Sequence, residues 1–343
     1  MMRLPLSWLL AFTTAALALL LLGSLATGPM TLTLGESLRA LFAGQESGIE
    51  SHKLLIVQEI RLPRTLLCIA VGGILGLCGA VMQGLFRNPL ADPGIIGVSG
   101  GAALGAALAI VLLAPLGQQL QATIGVGLLP LLAFLGGALT TTLVYMLGTR
   151  EGGTSVTVML LAGVAITALS GAVIGLLTYL ADDQMLRNLS LWQMGTLAAG
   201  KPADVALALL TLAALLWLFV RDANPLNALL LGEGEARHLG VNVQSLKRRL
   251  ILLTAAGVGV AVAVSGMIGF VGLVVPHLVR LLAGPNHVRL LPLSALLGAA
   301  LLLAADMLAR TLLAPAELPV GIITALLGAP FFIWLLVKGR RAL

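Results

Sequence analysis

Five ionisable residues lie in or beside the long apolar runs of this 343-residue chain: Asp92, His277, Asp306, Arg310 and Glu317. In a lipid setting such groups are costly, and they mark ion paths, proton relays or substrate contacts unless they satisfy one another. Asp306 and Arg310 are four residues apart, so they share a helix face and can pair. Asp92 falls between Pro89 and Pro93, which forbid a continuous helix and make this a turn leading into a Gly-rich span. His277 follows Pro276 where a span nears the cytoplasm, a place that suits a structural histidine with satisfied nitrogens. No ordered series of carboxylates crosses the membrane, which weakens proton-coupled secondary transport as a reading. Asp92, His277 and Asp306 acting as an acid–base set would make the chain a membrane enzyme, the other class that these residues leave open.

Further catalytic signatures are absent. The chain has no Gly-x-x-x-x-Gly-Lys-Ser/Thr loop, so any ATP hydrolysis must come from another polypeptide. His52, His238, His277 and His287 are dispersed and form no metal-ligand pair, so neither a zinc site nor a resident cofactor is expected. Cys68 and Cys78 sit ten residues apart in one apolar run. At a rise of about 1.5 Å per residue they are too distant to bridge and read as small buried residues.

The elements that must carry these residues follow from composition. Hydrophobic residues make up 59% of the chain and charged residues 10%, with a mean hydropathy of +1.06. A soluble domain carries roughly 25% charged residues, so this chain could not cover a water-facing surface. Runs of about 20 apolar residues mean helices rather than barrel strands. The fold class expected is an all-α polytopic membrane protein with about ten transmembrane helices in a single domain spanning 1–343. The runs fall at 7–27, 63–86, 95–114, 123–147, 156–180, 203–220, 248–267, 268–283, 290–312 and 318–337. The seventh and eighth are fused and are divided at Ser265-Gly266 and Gly269, because glycine pairs break helices. Arg3 and the first run resemble a signal peptide, but the run exceeds the usual core of about 7–15 residues and reads as a span.

With a cytoplasmic N-terminus, ten spans leave both termini in the cytoplasm. Thirteen of the 20 Lys and Arg then lie on the cytoplasmic side, the sign the positive-inside rule requires. Arg39, Lys53, Arg61, Arg64, Arg187, Lys201 and Arg310 fall outside, and Arg61, Arg64 and Arg310 crowd the outer ends of two spans. The net charge of +6 is thus distributed through short loops, as topology demands, and forms no basic stripe for nucleic acid. Small residues recur every four positions at Gly72, Gly76 and Ala80, and at Gly97, Gly101 and Gly105. Gly163, Thr167, Gly171 and Gly175 repeat the pattern, giving faces on which helices approach closely.

Two polar interruptions remain. Thr27 to Ile60 is a long outer connection. Arg221 to Arg249 is cytoplasmic, and within it Leu226 to Gly240 reads as two short amphipathic helices, opened by Pro225 and broken at Gly232 and Gly234. Glu233 and Glu235 disfavour an anionic lipid surface and favour a protein partner.

The motifs as they stand resemble a known family. The carriers are Arg61–Arg64 (RLPR), Gly79–Ala102 (GAVMQGLFRNPLADPGIIGVSGGA) and Gly269–Arg280 (GFVGLVVPHLVR). The tail adds Ala305–Arg310 (ADMLAR), Glu317–Gly321 (ELPVG) and Leu327–Trp334 (LGAPFFIW). From about residue 55 to the C-terminus the chain is similar to permease subunits of bacterial type II ABC importers for iron-siderophores, haem and vitamin B12, and nearest in wording to those for haem. The resemblance implies the vitamin B12/iron-chelate importer permease fold and a homodimer in the bacterial inner membrane with the passage at its interface. It also implies two separate ATPase subunits on the cytoplasmic side, a periplasmic substrate-binding protein, and import of an iron chelate. The family's coupling helices map to about 224–245, with Leu231, Gly232, Glu233, Ala236, Arg237, Leu239 and Gly240 as the ATPase-contacting residues. Its binding-protein docking arginines map to Arg61, Arg64 and Arg310, although Arg310 could simply satisfy Asp306.

Overall fold

Ten apolar stretches separated by polar punctuation fold as helices in the computed structural model, which describes residues 5–42, 50–114, 127–150, 153–198 and 200–340. In chain order the helices are α1 (Leu6–Ala26), α2 (Leu34–Phe42), α3 (Ser51–Leu85), α4 (Val98–Val111), α5 (Leu128–Gly148) and α6 (Val156–Leu180). They continue as α7 (Asp183–Gln193), α8 (Pro202–Arg221), α9 (Ala223–Leu230), α10 (Glu233–His238), α11 (Val243–Ser265), α12 (Val271–Ala283), α13 (His287–Thr311) and α14 (Val320–Arg340). The one sheet among the described residues is a two-residue hairpin, β1 (Thr149–Arg150) against β2 (Gly153–Thr154).

Seven of these helices are long and apolar enough to cross a membrane: α1, α3, α5, α6, α8, α11 and α13. The three remaining apolar runs are shorter helices, Val98–Val111, Val271–Ala283 and Val320–Leu335. Each of the ten expected runs therefore has a helix, although the start of the fourth, 123–126, lies outside the described residues. The fused pair does divide: α11 stops at Ser265, Gly266 adopts φ 69°, and α12 begins at Val271.

One boundary differs clearly. The second run was expected from 63, yet α3 starts at Ser51. Lys53, Glu59 and Arg61 hide its first turns from hydropathy, and a π-helical turn over Ile56–Arg61 carries the helix into Pro63. Leu62 N–H bonds back to Val57, five residues earlier, a wider register of the kind that absorbs an irregularity within a helix.

α3 is the axis of the fold. Its apolar window is 89% buried, whereas that of α6 is only 17% buried. Leu67, Ile74, Leu77 and Met82 of α3 are wholly enclosed by α8, α11, α12 and α13. Small residues permit this approach: a Cβ at Gly72 or Gly76 would overlap the backbone of α13 at Gly298 or Ser294. α4 lies against α5 in the same manner through Gly101, Gly105 and Gly136. Cys68 and Cys78 are buried free thiols.

Candidate functional site

At one end of the bundle, where α1, α3 and α13 meet, Arg61, Arg64 and Arg310 converge, each no more than 5% exposed. Arg64 and Asp306 sit 242 residues apart in sequence, yet Arg64 donates from Nε and Nη2 to Asp306 Oδ1 at 3.0 and 2.8 Å. Arg64 Nη1 donates to Glu317 Oε2 at 2.6 Å. Arg310 Nε lies 3.0 Å from Asp306 Oδ2, and its Nη2 donates to Ser24 Oγ at 2.7 Å. Arg61 Nη1 donates to the carbonyls of Leu25 and Ala26 at 2.7 and 2.9 Å, and its Nη2 donates to the Met30 carbonyl. Three cations thus meet two carboxylates, and the surplus charge of Arg61 rests on carbonyls at the C-terminal end of α1. A helix leaves those groups unpaired and carries partial negative charge there. The three residues foreseen as an external surface are therefore engaged within the chain. Of their carboxylate partners, Asp306 is wholly buried while Glu317 is 33% exposed.

The opposite polar region is built differently. Ala223, Leu226 and Leu229 of α9 face inward, and α9 is held against the head of α13 by Asn227. Asn227 Nδ2 donates to Asn286 Oδ1 at 2.9 Å, and His287 N–H donates to Asn227 Oδ1 at 2.8 Å. Gly232 (φ 121°) then turns the chain into α10, a conformation that L side chains rarely adopt. Gly234, expected as a second break, lies inside α10 because one positive-φ residue suffices for the turn. The end of α10 is a Schellman motif: Val241 N–H bonds Ala236 O at 3.0 Å and Gly240 N–H bonds Arg237 O at 2.9 Å, with Gly240 at φ 83°.

Ala236 is the buried residue of α10. Glu233 reaches Lys247 Nζ at 2.6 Å, and Asp222 pairs with Arg249, whose Nε donates to Asp222 Oδ2 at 2.8 Å. Arg237 lies 4.0 Å from Glu233 on the exposed side, where such a pair contributes little. Leu231 and Leu239 project outward, 68% and 63% exposed, at the two ends of α10. Beside Leu239 a cleft of about 250 Å³ is lined by Pro225, Gly240, Val241, Asn242 and Arg249. Exposed apolar residues flanked by polar ones are what a protein-binding surface requires.

The remaining sequence candidates are scattered. Asp92 caps the short turn Pro93–Ile96, its Oδ1 accepting from Gly94 N–H at 2.7 Å, and burial pushes its carboxyl above the usual range. His277 departs from expectation: neither ring nitrogen has a hydrogen-bond partner, and the ring stands edge-on to Phe331 at 6.0 Å. The neighbour that α14 brings to the ring is Phe331, which offers it no hydrogen-bond partner. Asp92, His277 and Asp306 each belong to a different neighbourhood, so no shared acid–base set forms from them.

A helical bundle with seven helices long enough to span a membrane, a buried charge cluster at one end and an exposed helix pair at the other is a multi-span membrane permease. The chain belongs to the FecCD transport family, whose model matches residues 16–338. It is 47% identical over 336 residues to the hemin transport system permease protein HmuU of Yersinia pestis, covering 97% of this chain and 96% of that one. It is 41% identical over 334 residues to the vitamin B12 import system permease protein BtuC of Shigella boydii, covering 97% and 96%. Among solved structures it superposes, at a TM-score of 0.82 and 33% identity, on a chain described as a metal-chelate type ABC transporter in an inward-facing conformation, covering 97% and 99%.

Proposed function

We propose that this chain is the permease of an ATP-driven importer, working as a homodimer in the bacterial inner membrane with two separate ATPase subunits and a periplasmic binding protein. Its cargo is an iron chelate, haem in the first instance. The observation that carries the reading is α10: a short helix, anchored through Glu233 to the buried Lys247, that presents Leu231 and Leu239 to solvent on a chain with no ATP-binding loop. Leu231, Gly232, Glu233, Ala236, Arg237, Leu239 and Gly240 form the ATPase-coupling segment on this reading. Haem is favoured by the 47% identity to a hemin permease along nearly the whole chain. Cobalamin is the second cargo, favoured by the 41% identity to a vitamin B12 permease over a similar length.

The dimer is supported by α6. Nothing lies within 4 Å of where a Cβ would stand on Gly171 or Gly175, while Leu169 and Leu176 beside them are exposed. A lipid-facing helix has no use for small residues at this spacing, whereas a second helix does. The passage then runs between two copies.

The binding protein docks over Arg61, Arg64 and Arg310 at the outer end. Because these guanidinium groups already have partners, an incoming carboxylate must exchange with Glu317, the exposed one. Glu317→Gln frees one arm of Arg64 and is expected to tighten binding-protein association about twofold to fivefold, consistent with the modest value of a partly exposed ion pair. Unchanged or weaker association would remove docking through Arg64.

Reconstitution in proteoliposomes tests the whole reading. The chain with its ATPase subunits and binding protein should take up haem only with ATP inside, and prefer haem to cobalamin and ferric siderophores. Uptake driven by an ion gradient without ATPase would overturn it in favour of a secondary transporter. Preference for cobalamin would overturn the cargo alone.

A further inference from the structure

Lys247 is a buried ammonium on α11, 3% exposed, and it touches two elements that are distant in sequence. Its Nζ donates to Glu233 Oε1 on α10 at 2.6 Å and to the Thr154 carbonyl on β2 at 3.2 Å. Gln244, one turn earlier on α11, accepts from Thr154 N–H at 3.2 Å and from Thr154 Oγ1 at 3.3 Å. Thr154 is followed directly by Ser155, the N-cap of α6, whose N–H bonds Gly148 O at 2.8 Å and whose Oγ accepts from Val158 N–H. The path from α10 through Lys247 to the head of α6 is therefore a single side chain and one capped turn.

The covalent route from α10 is softer. It leaves through Gly240 at φ 83° and the Val241-Asn242 link into α11. A glycine joint absorbs a displacement, whereas a buried ammonium resists separation from its carboxylate because an uncompensated buried charge is strongly unfavourable. Movement of α10 away from Lys247 would create that charge. Movement of α10 together with Lys247 carries the hairpin, and with it the first turn of α6. The side chain thus favours concerted motion over hinging at Gly240.

Resting on the importer reading above, we propose that Lys247 is a positioning residue that locks α10, α11 and the β1–β2 pair into one unit, so that a pull on α10 by the ATPase reaches α6, the helix with the open small-residue face. Glu233 serves this unit from the coupling helix, and Gln244 fixes its far side. The link is a charge-assisted one, so it needs a cation at position 247 rather than mere bulk.

The test uses the complete importer in proteoliposomes, with haem and cyanocobalamin as probes, and reads ATP hydrolysed per cargo molecule delivered. Lys247→Met is expected to raise that ratio about tenfold, and Lys247→Arg to restore it to within about twofold of the wild type, as loss and return of a buried charge pair predict. A Lys247→Met ratio within about twofold of the wild type would overturn the proposal, as would Lys247→Arg performing no better than Lys247→Met. If Lys247→Met does not assemble, Glu233→Gln and Gln244→Ala read the two sides of the link. Each is expected to raise the ratio about threefold, the size of one partly exposed hydrogen bond, and neither doing so overturns the proposal. A wild-type importer without ATP-driven uptake would instead remove the importer reading, and this inference with it.

Discussion

The two polar regions of this permease, the Arg64–Asp306 cluster and the α9–α10 pair, use similar residues to opposite ends. In the first, Arg64, Arg310, Asp306 and Ser24 turn inward and satisfy one another while Arg61 rests on main-chain carbonyls, and they leave little but part of Glu317 in contact with water. In the second, Glu233 pairs with Lys247 and Asp222 with Arg249, mounting the α9–α10 segment on α11 while Leu231 and Leu239 remain exposed. The first arrangement commits most of its charge to joining α1, α3 and α13 and leaves Glu317 as its exposed member. The second uses charge as a mount for an apolar contact surface. Clusters of ionic residues in a membrane protein therefore divide into those that close the fold and those that present something, and exposure of the neighbouring apolar side chains separates the two.

The comparison is broken most severely by Asp306→Ala. It strands Arg310, and Arg64 in part, in a fully buried setting, where removing one partner of a buried pair costs about 3–5 kcal/mol. Thermal unfolding in detergent should show a large loss of stability, and a variant within about 1 kcal/mol of the wild type would mean that the outer cluster does not close the fold. At the ends of α10, Leu231→Asp with Leu239→Asp should leave unfolding unaffected but weaken co-purification of the ATPase subunits by more than tenfold. Burying one leucine is worth about 1.5–3 kcal/mol, so retained association would deny α10 its role.

The small-residue faces offer a sharper, smaller contrast. Gly72→Ala forces a methyl into the α13 backbone and should cost about 1–3 kcal/mol of protomer stability. Gly175→Leu should leave the protomer folded and shift the detergent-solubilised protein from dimer to monomer, read by light scattering. The smallest effect is expected at Glu36, on the outer surface. A hydrogen bond from the Thr33 amide, with Lys53 at 2.9 Å, holds its carboxyl down to about 2. A depressed folded value means that the stabilisation is complete above the ordinary value of 4.5 and is lost as pH falls through about 2. The difference between wild type and Glu36→Gln in resistance to limited proteolysis near α2 should persist at pH 5 and vanish near pH 2.

Much of this was legible in the chain itself. The ten apolar runs, the break at Ser265-Gly266 and the helix pair around Gly232 follow from hydropathy and glycine placement, which are local properties. The start of α3 was not legible, because Lys53, Glu59 and Arg61 interrupt the hydropathy of a helix that continues regardless. His277 was expected to be satisfied, but satisfaction depends on what another helix brings, and α14 brings Phe331. Arg64 with Asp306, and Lys247 with Thr154, carry no sequence signal, since their separations of 242 and 93 residues place them beyond any helical period.

Sequence alone determined that this protein lies in a membrane, how many times its apolar runs recur, and that the chain carries no P-loop of its own, because composition and motifs need no neighbours. Only the tertiary structure decided which charges face inward. A guanidinium at the end of a span can reach outward to a partner protein or inward to a carboxylate on another helix. That choice rests on distances between helices that no run of adjacent residues encodes.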